Sequence, residues 1–117
     1  MEIINNQFTI FQTIKIIFMK IITQSVHFDA DQKLLLYIEK KLSSLEQYSH
    51  KIIQANVLLK LENSGQIKGK TVEIKLQVPG EIIYISEQKL KFEAALDAVV
   101  DKLKRRVIKH KKQLRSR

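Results

Sequence analysis

The sequence predicts an α+β domain of order β-α-β-β-β-α, a four-stranded sheet with two helices packed on one face. Three observations predict it. Strand-like runs of alternating or β-branched residues occur in four separate stretches. Two other stretches repeat their apolar residues at the helical period, and short polar connectors separate the elements. Strict alternation gives a strand one packed and one wet face, which favours an antiparallel sheet covered on a single side.

The first strand is residues 19–26, MKIITQSV, rich in β-branched side chains. Asp29 or Asp31 can cap the helix that follows by accepting the free N–H groups of its first turn. That helix is predicted over residues 32–48, where Leu34, Leu35, Ile38, Leu42 and Leu45 recur at helical spacing and form one buried stripe. Residues 52–62, IIQANVLLKLE, read as the second strand, and NSGQIKGK (63–70) as a polar turn. In the third strand, 71–78, Val72, Ile74, Leu76 and Val78 alternate with Thr71, Glu73, Lys75 and Gln77. Pro79-Gly80 then turns tightly into EIIYIS (81–86), completing a hairpin. After Glu87 the period becomes 3.6, and Phe92, Leu96, Val99, Leu103 and Val107 form the apolar stripe of a long final helix.

A chain of 117 residues can bury a core without staples, and its 44% hydrophobic content argues for a folded chain. No internal repeat, low-complexity tract or second domain interrupts it. The absence of cysteine excludes a disulfide framework and a thiolate metal site and fits a reducing compartment, so a cytoplasmic location is expected. His27, His50 and His110 share no metal-ligand spacing, and no metal or other cofactor is expected. Residues 1–18 are apolar, but they lack the basic start and small-residue cleavage site of a signal peptide. Lys15 and four Asn or Gln residues interrupt them, and Lys20 follows, so the apolar run falls well short of the roughly 18 residues of a spanning helix. We read 1–18 as an N-terminal extension upstream of a functional start at Met19, with 19–117 as the working domain. An extra strand or a membrane-surface anchor is the rival reading.

Residues 102–117 contain nine Lys or Arg and no Asp or Glu. The net charge is 21 − 12 = +9, so the rest of the chain sums to zero and the whole excess sits in one tail. A neutral domain with a concentrated basic terminus calls for a polyanionic partner. Lys102, Arg105, Arg106, Lys109 and Lys112 fall at offsets that line one helix face roughly opposite the apolar stripe, over about 15 Å. Several could meet phosphates along one nucleic-acid strand. A membrane surface is the weaker partner, because the apolar stripe is needed to cover the sheet. Lys33, Lys40 and Lys41 can add to this surface, diluted by Glu39 and Glu46.

The stretch GQIKGKT resembles a phosphate loop but is one residue short and leads into a strand, so it reads as a hairpin turn. Neither a nucleophile motif nor paired catalytic carboxylates appear, and neither an enzyme nor a small-molecule substrate is expected. With no GxxG clamp or aromatic base-stacking strand, recognition of structured RNA through its backbone remains.

LLYIEKKLSSLEQY, VLLKLE, VEIKLQVPG and AALDAVVDKLKRRVIKHKKQL, in that order, closely resemble the short ribosome hibernation-promoting factors, also called ribosome-associated translation inhibitors. The resemblance spans Met19 to about Leu114. It implies a fold similar to a double-stranded-RNA-binding domain and binding to small-subunit ribosomal RNA in the channel of messenger RNA and the A- and P-site tRNAs. It also implies silencing of translation in starved or stationary cells, with assistance to ribosome dimerisation. The family's RNA-contacting basic positions match Lys41, Lys102, Arg105, Lys109 and Lys111, while Arg106 stands where glutamine is common. Ser44 replaces a commonly basic residue, and Lys91 with Glu93 an acidic and aromatic pair. No dimerisation domain follows Arg117, as in the short form. The expectation is a non-enzymatic ribosome-binding translation inhibitor; the alternative is a general structured-RNA-binding module not specific to ribosomes.

Overall fold

A computed structural model of the chain describes residues 19–64 and 67–116. The reading of residues 1–18 falls outside the described residues. Strand β1 (Lys20–Val26) leads to helix α1 (Gln32–Ser43), and strands β2 (Gln54–Ser64), β3 (Ile67–Val78) and β4 (Glu81–Lys89) precede helix α2 (Phe92–Arg115). The four strands form one sheet in the order β1-β2-β3-β4, and both helices cover the same face. This is the predicted β-α-β-β-β-α architecture. The pairing is mixed, because β1 runs parallel to β2 while β2-β3-β4 are antiparallel. A crossover helix between β1 and β2 permits the parallel pair, whereas the short connections after β2 permit only hairpins.

Between the two undecided carboxylates, Asp31 is the cap of α1: its Oδ1 accepts the Leu34 N–H at 2.8 Å. The stripe falls inward, with Leu34, Ile38, Leu42 and Leu45 buried and Leu35 only half-buried. The helix stops at Ser43, earlier than predicted, and tightens into a 3-10 turn over Ser44–Gln47. At the end of β1, His27 takes a positive φ of 72°, and the chain turns so that the Phe28 ring stacks on Phe92 at 4.8 Å. The first turn of α2 is thereby tied to the start of the domain.

The turn predicted at 63–70 is shorter than expected. Asn63 pairs with Lys68 and Ser64 with Ile67, so β2 and β3 continue through this polar stretch. Backbone hydrogen bonds carry a ladder whatever the polarity of its side chains, which is why alternation under-reads it. At Gly69 the Gln88 side chain lies so close that a Cβ would overlap it. Gly80 has φ +86° in the Pro79-Gly80 turn, a conformation glycine takes freely.

Ala55, Val57, Leu59, Val72, Ile74, Leu76, Val78 and Ile83 point to the helices and are buried. Phe92, Ala95, Leu96, Val99, Leu103 and Val107 close the core from α2. The other sheet face is open and carries rows such as Ile22, Asn56, Lys75 and Tyr84. On it the Lys60 ammonium reaches Glu73 at 2.8 Å. That hydrogen bond, opposed by partial burial and aided by one from Tyr84, holds the Glu73 carboxyl below its ordinary 4.5.

Leu96→Ala, which opens a void between α2 and the sheet, is expected to cost about 2–5 kcal/mol in urea unfolding. For Glu73 the depressed folded value means that its contribution is present above pH 4.5 and is lost as pH falls through the folded value. Stability measured against pH should therefore show Glu73→Gln closing its gap to the wild type in that acid window, with the gap constant near neutrality.

Candidate nucleic-acid interface

Helix α2 has 24 residues, long enough that its first half completes the core while its second half carries most of the charge. One residue per 100° of turn sorts the cations by direction. Arg105 and Lys112 point away from the core. Lys102, Arg106 and Lys109 lie on the flank toward β4, where Lys102 pairs with Glu87. Lys104 and Lys111 lie on the flank toward α1, where the Lys104 ammonium sits 5.0 Å from the centroid of the Tyr48 ring. Each of these seven side chains is exposed. The five residues placed on one face by spacing thus cover the outer and β4 sides, and Lys111 stands on the other flank.

The cations divide further by what holds them. Lys41 is 3.3 Å from Asp97, Arg105 is 2.6 Å from Asp101 one helical turn earlier, and Lys102 is held by Glu87. Among the described residues, Arg106, Lys109, Lys111 and Lys112 have no carboxylate partner. Pairs this exposed contribute about 0–1 kcal/mol to stability, and each cation keeps further N–H donors with which it can meet a phosphate. These four cations lie within two turns of helix, at about 1.5 Å per residue. Their mutual repulsion is relieved by an anion placed among them.

What keeps this charged end on the sheet is His110, buried on the apolar side of α2. Its Nε2 donates to the Pro79 carbonyl at 2.8 Å and lies 4.0 Å from a Glu81 carboxylate oxygen. The hydrogen bond to a carbonyl requires the proton on Nε2. This histidine therefore ties the basic end of α2 to the β3–β4 turn. On α1, Lys33 and Lys40 are exposed, and Lys40 and Lys41 occupy the last turn, where cations complement the helix dipole. Glu46 does not dilute this surface, because it is buried and accepts the Met19 N–H at 3.2 Å. Glu39 is half-buried, which pushes its carboxyl up.

Three groups at the seam between the helices escaped sequence reasoning: Lys104, Tyr37 and Asp97. The Tyr37 hydroxyl donates to Asp97 Oδ1 at 2.7 Å across 60 residues of sequence. No local pattern joins them. Lys104 had a signal, since it stands seven residues before Lys111.

Among the described residues, no group of three or more His, Cys, Asp or Glu could hold a metal ion. No described helix is long and apolar enough to cross a membrane. A concavity of about 280 Å³ on the open sheet face, lined by Ile22, Gln24, Asn56, Leu58, Glu73, Lys75 and Tyr84, lies apart from the basic surface.

Residues 21–115 match the family described as sigma 54 modulation protein / S30EA ribosomal protein. A ribosome hibernation promoting factor of Pseudomonas putida is 34% identical over 90 residues, 77% of this chain and 84% of the relative. That of Escherichia coli K12 is 35% identical over 79 residues, 68% of this chain and 79% of the relative. In structure, the chain is similar to the N-terminal domain of Thermus thermophilus Protein Y, with a TM-score of 0.65, 27% identity, and coverage of 80% of this chain and 97% of that one. A ribosomal subunit interface protein from Coxiella burnetii shares the fold, with a TM-score of 0.66 at 19% identity, over 79% and 97% of the two chains.

Because Arg106, Lys109 and Lys112 are exposed, replacing all three with Ala should shift urea unfolding by no more than about 1 kcal/mol. Circular dichroism should show the same helix content.

Proposed function

The chain belongs to the sigma 54 modulation protein / S30EA ribosomal protein family, and on that premise we propose that it is a ribosome-associated translation inhibitor. It binds small-subunit ribosomal RNA in the channel of messenger RNA and tRNA, silences ribosomes under starvation or in stationary phase, and works in the cytoplasm without catalysis. A part in ribosome dimerisation follows from the same family resemblance. The observation that carries the reading is the run of cations on α2, six of the eight described ones without a carboxylate partner, on the exposed side of a helix whose apolar side is occupied by the sheet.

The mechanism is occupation. Lys102, Arg105, Arg106, Lys109, Lys111 and Lys112 on α2 and Lys41 on α1 contact phosphates, and the domain fills space that messenger RNA and tRNA need. Phosphate contacts fix position and orientation without reading bases. Shape and the spacing of cations across two helices then select the site. Neutralising a phosphate releases condensed counterions, so each contact adds roughly 0.7–0.9 to the slope of log affinity against log salt. Four contacts alone give a slope of about 3.

The same backbone-only chemistry favours a second reading, a structured-RNA-binding module without preference for ribosomes. Competition separates the two. A ribosome-specific binder is displaced by messenger RNA with tRNA and only weakly by excess duplex RNA; a general module is displaced by duplex RNA.

Co-sedimentation of the full chain with purified small subunits should show one-to-one, salt-sensitive binding. In the Arg105→Ala, Arg106→Ala, Lys109→Ala variant, binding should be lost at physiological salt, and the salt slope should fall by about 2–3. Wild-type protein left at the top of the gradient at low salt would reject the ribosome reading.

A further inference from the structure

A carboxylate in the middle of a phosphate-binding surface should repel its ligand. Asp97 is such a group, half-exposed on α2 at the seam with α1. Its surroundings give it another task. Asp97 Oδ1 accepts the Tyr37 hydroxyl at 2.7 Å and lies 3.3 Å from the Lys41 ammonium. The same ammonium is 5.9 Å from the centroid of the Tyr37 ring. Two residues of α1, one turn apart, thus converge on one oxygen of α2. The Asp97 hydrogen bond, with smaller contributions from burial and from Asp97 and Glu93 charge, raises the titration of Tyr37 and keeps its hydroxyl a donor.

We propose that Asp97 is a positioning residue of the nucleic-acid interface: it holds the Lys41 ammonium at the α1–α2 seam, so that its negative charge strengthens phosphate binding instead of opposing it. The proposal rests on the RNA-binding reading above. Lysine carries its charge on a flexible stem, and a cation free to wander must be ordered before it can hold a phosphate. Pinned between a carboxylate and a ring, Lys41 is ordered in advance. The flank of α2 that bears Asp97 also bears Lys104, set over Tyr48, and Lys111, each seven residues beyond the last. Lys41, Lys104 and Lys111 therefore make a second basic row along the seam, separate from Lys102, Arg106 and Lys109 on the β4 flank. Lys104 joins the phosphate-binding set through this row.

The test turns on sign. Asp97→Asn raises the net charge from +9 to 9 + 1 = +10, and simple electrostatics makes it bind RNA more tightly. Positioning requires the reverse. Affinity of the full chain for purified small subunits would be measured over a salt series for wild type, Asp97→Asn, Lys41→Ala and the double variant. Asp97→Asn should weaken binding about 3- to 10-fold and lower the salt slope by roughly 0.7–0.9, one phosphate contact. In the Lys41→Ala background it should change neither. Asp97→Glu should restore part of the affinity, and Tyr37 in Asp97→Asn should titrate nearer its ordinary 10.0, with thermal unfolding unaltered. Tighter binding by Asp97→Asn, or an equal effect in both backgrounds, would overturn the proposal. If wild type does not bind small subunits, the ribosome reading fails by itself, and the same four proteins on a structured RNA hairpin still decide the sign for Asp97.

Discussion

One helix has to satisfy two surroundings at once. The apolar side of α2 from Phe92 to Val107 supplies much of the cover over β3 and β4, and burial of this kind is the dominant favourable term in folding. The polar side holds most of a charge excess that no other part of the chain offsets. Neither half can change alone: turning the helix by one residue would expose leucines and bury lysines. His110 shows how tightly the two are coupled, since a buried imidazole bonded to the Pro79 carbonyl sits between the exposed cations Lys109 and Lys111.

The charged surface is therefore rigid where it matters. Its backbone is fixed by the core beneath, and several of its side chains are fixed by neighbours: Lys102 by Glu87, Arg105 by Asp101, Lys41 by Asp97 and Tyr37, Lys104 by Tyr48. Exposed pairs of this sort add little to stability. Their value lies in geometry, because ordered cations lose less entropy when an anion arrives. Arg106, Lys109, Lys111 and Lys112 carry positive charge that no carboxylate offsets, while Lys102, Arg105 and Lys41 are held in place by their partners.

The open face of the sheet gives the contrast. There Lys60 is matched by Glu73, and Lys75 stands among Asn56 and Tyr84, so that face presents no comparable concentration of one sign. The asymmetry between the two sides of the domain concentrates the positive potential on the helix side.

Much of this was written in local patterns. Val72, Ile74, Leu76 and Val78 announce a half-buried strand because side chains alternate across a sheet, and Phe92, Leu96, Val99, Leu103 and Val107 announce the buried side of α2 because a helix repeats every 3.6 residues. The family and the concentration of charge were legible for the same reason, being carried by contiguous residues. The reach of β2 and β3 through the polar stretch was not, since backbone pairing leaves no mark on side-chain identity. Nor were the parallel pairing of β1 with β2, the burial of Glu46 against Met19, the separation of Lys111 from Lys109, or the meeting of Tyr37, Lys41 and Asp97. The sequence by itself determined which elements form, which faces they bury and where the charge collects, because those depend on short periods along the chain. Which cation meets which carboxylate was decided only by the tertiary structure, because that depends on how residues far apart in sequence are brought together when two helices pack side by side on one sheet.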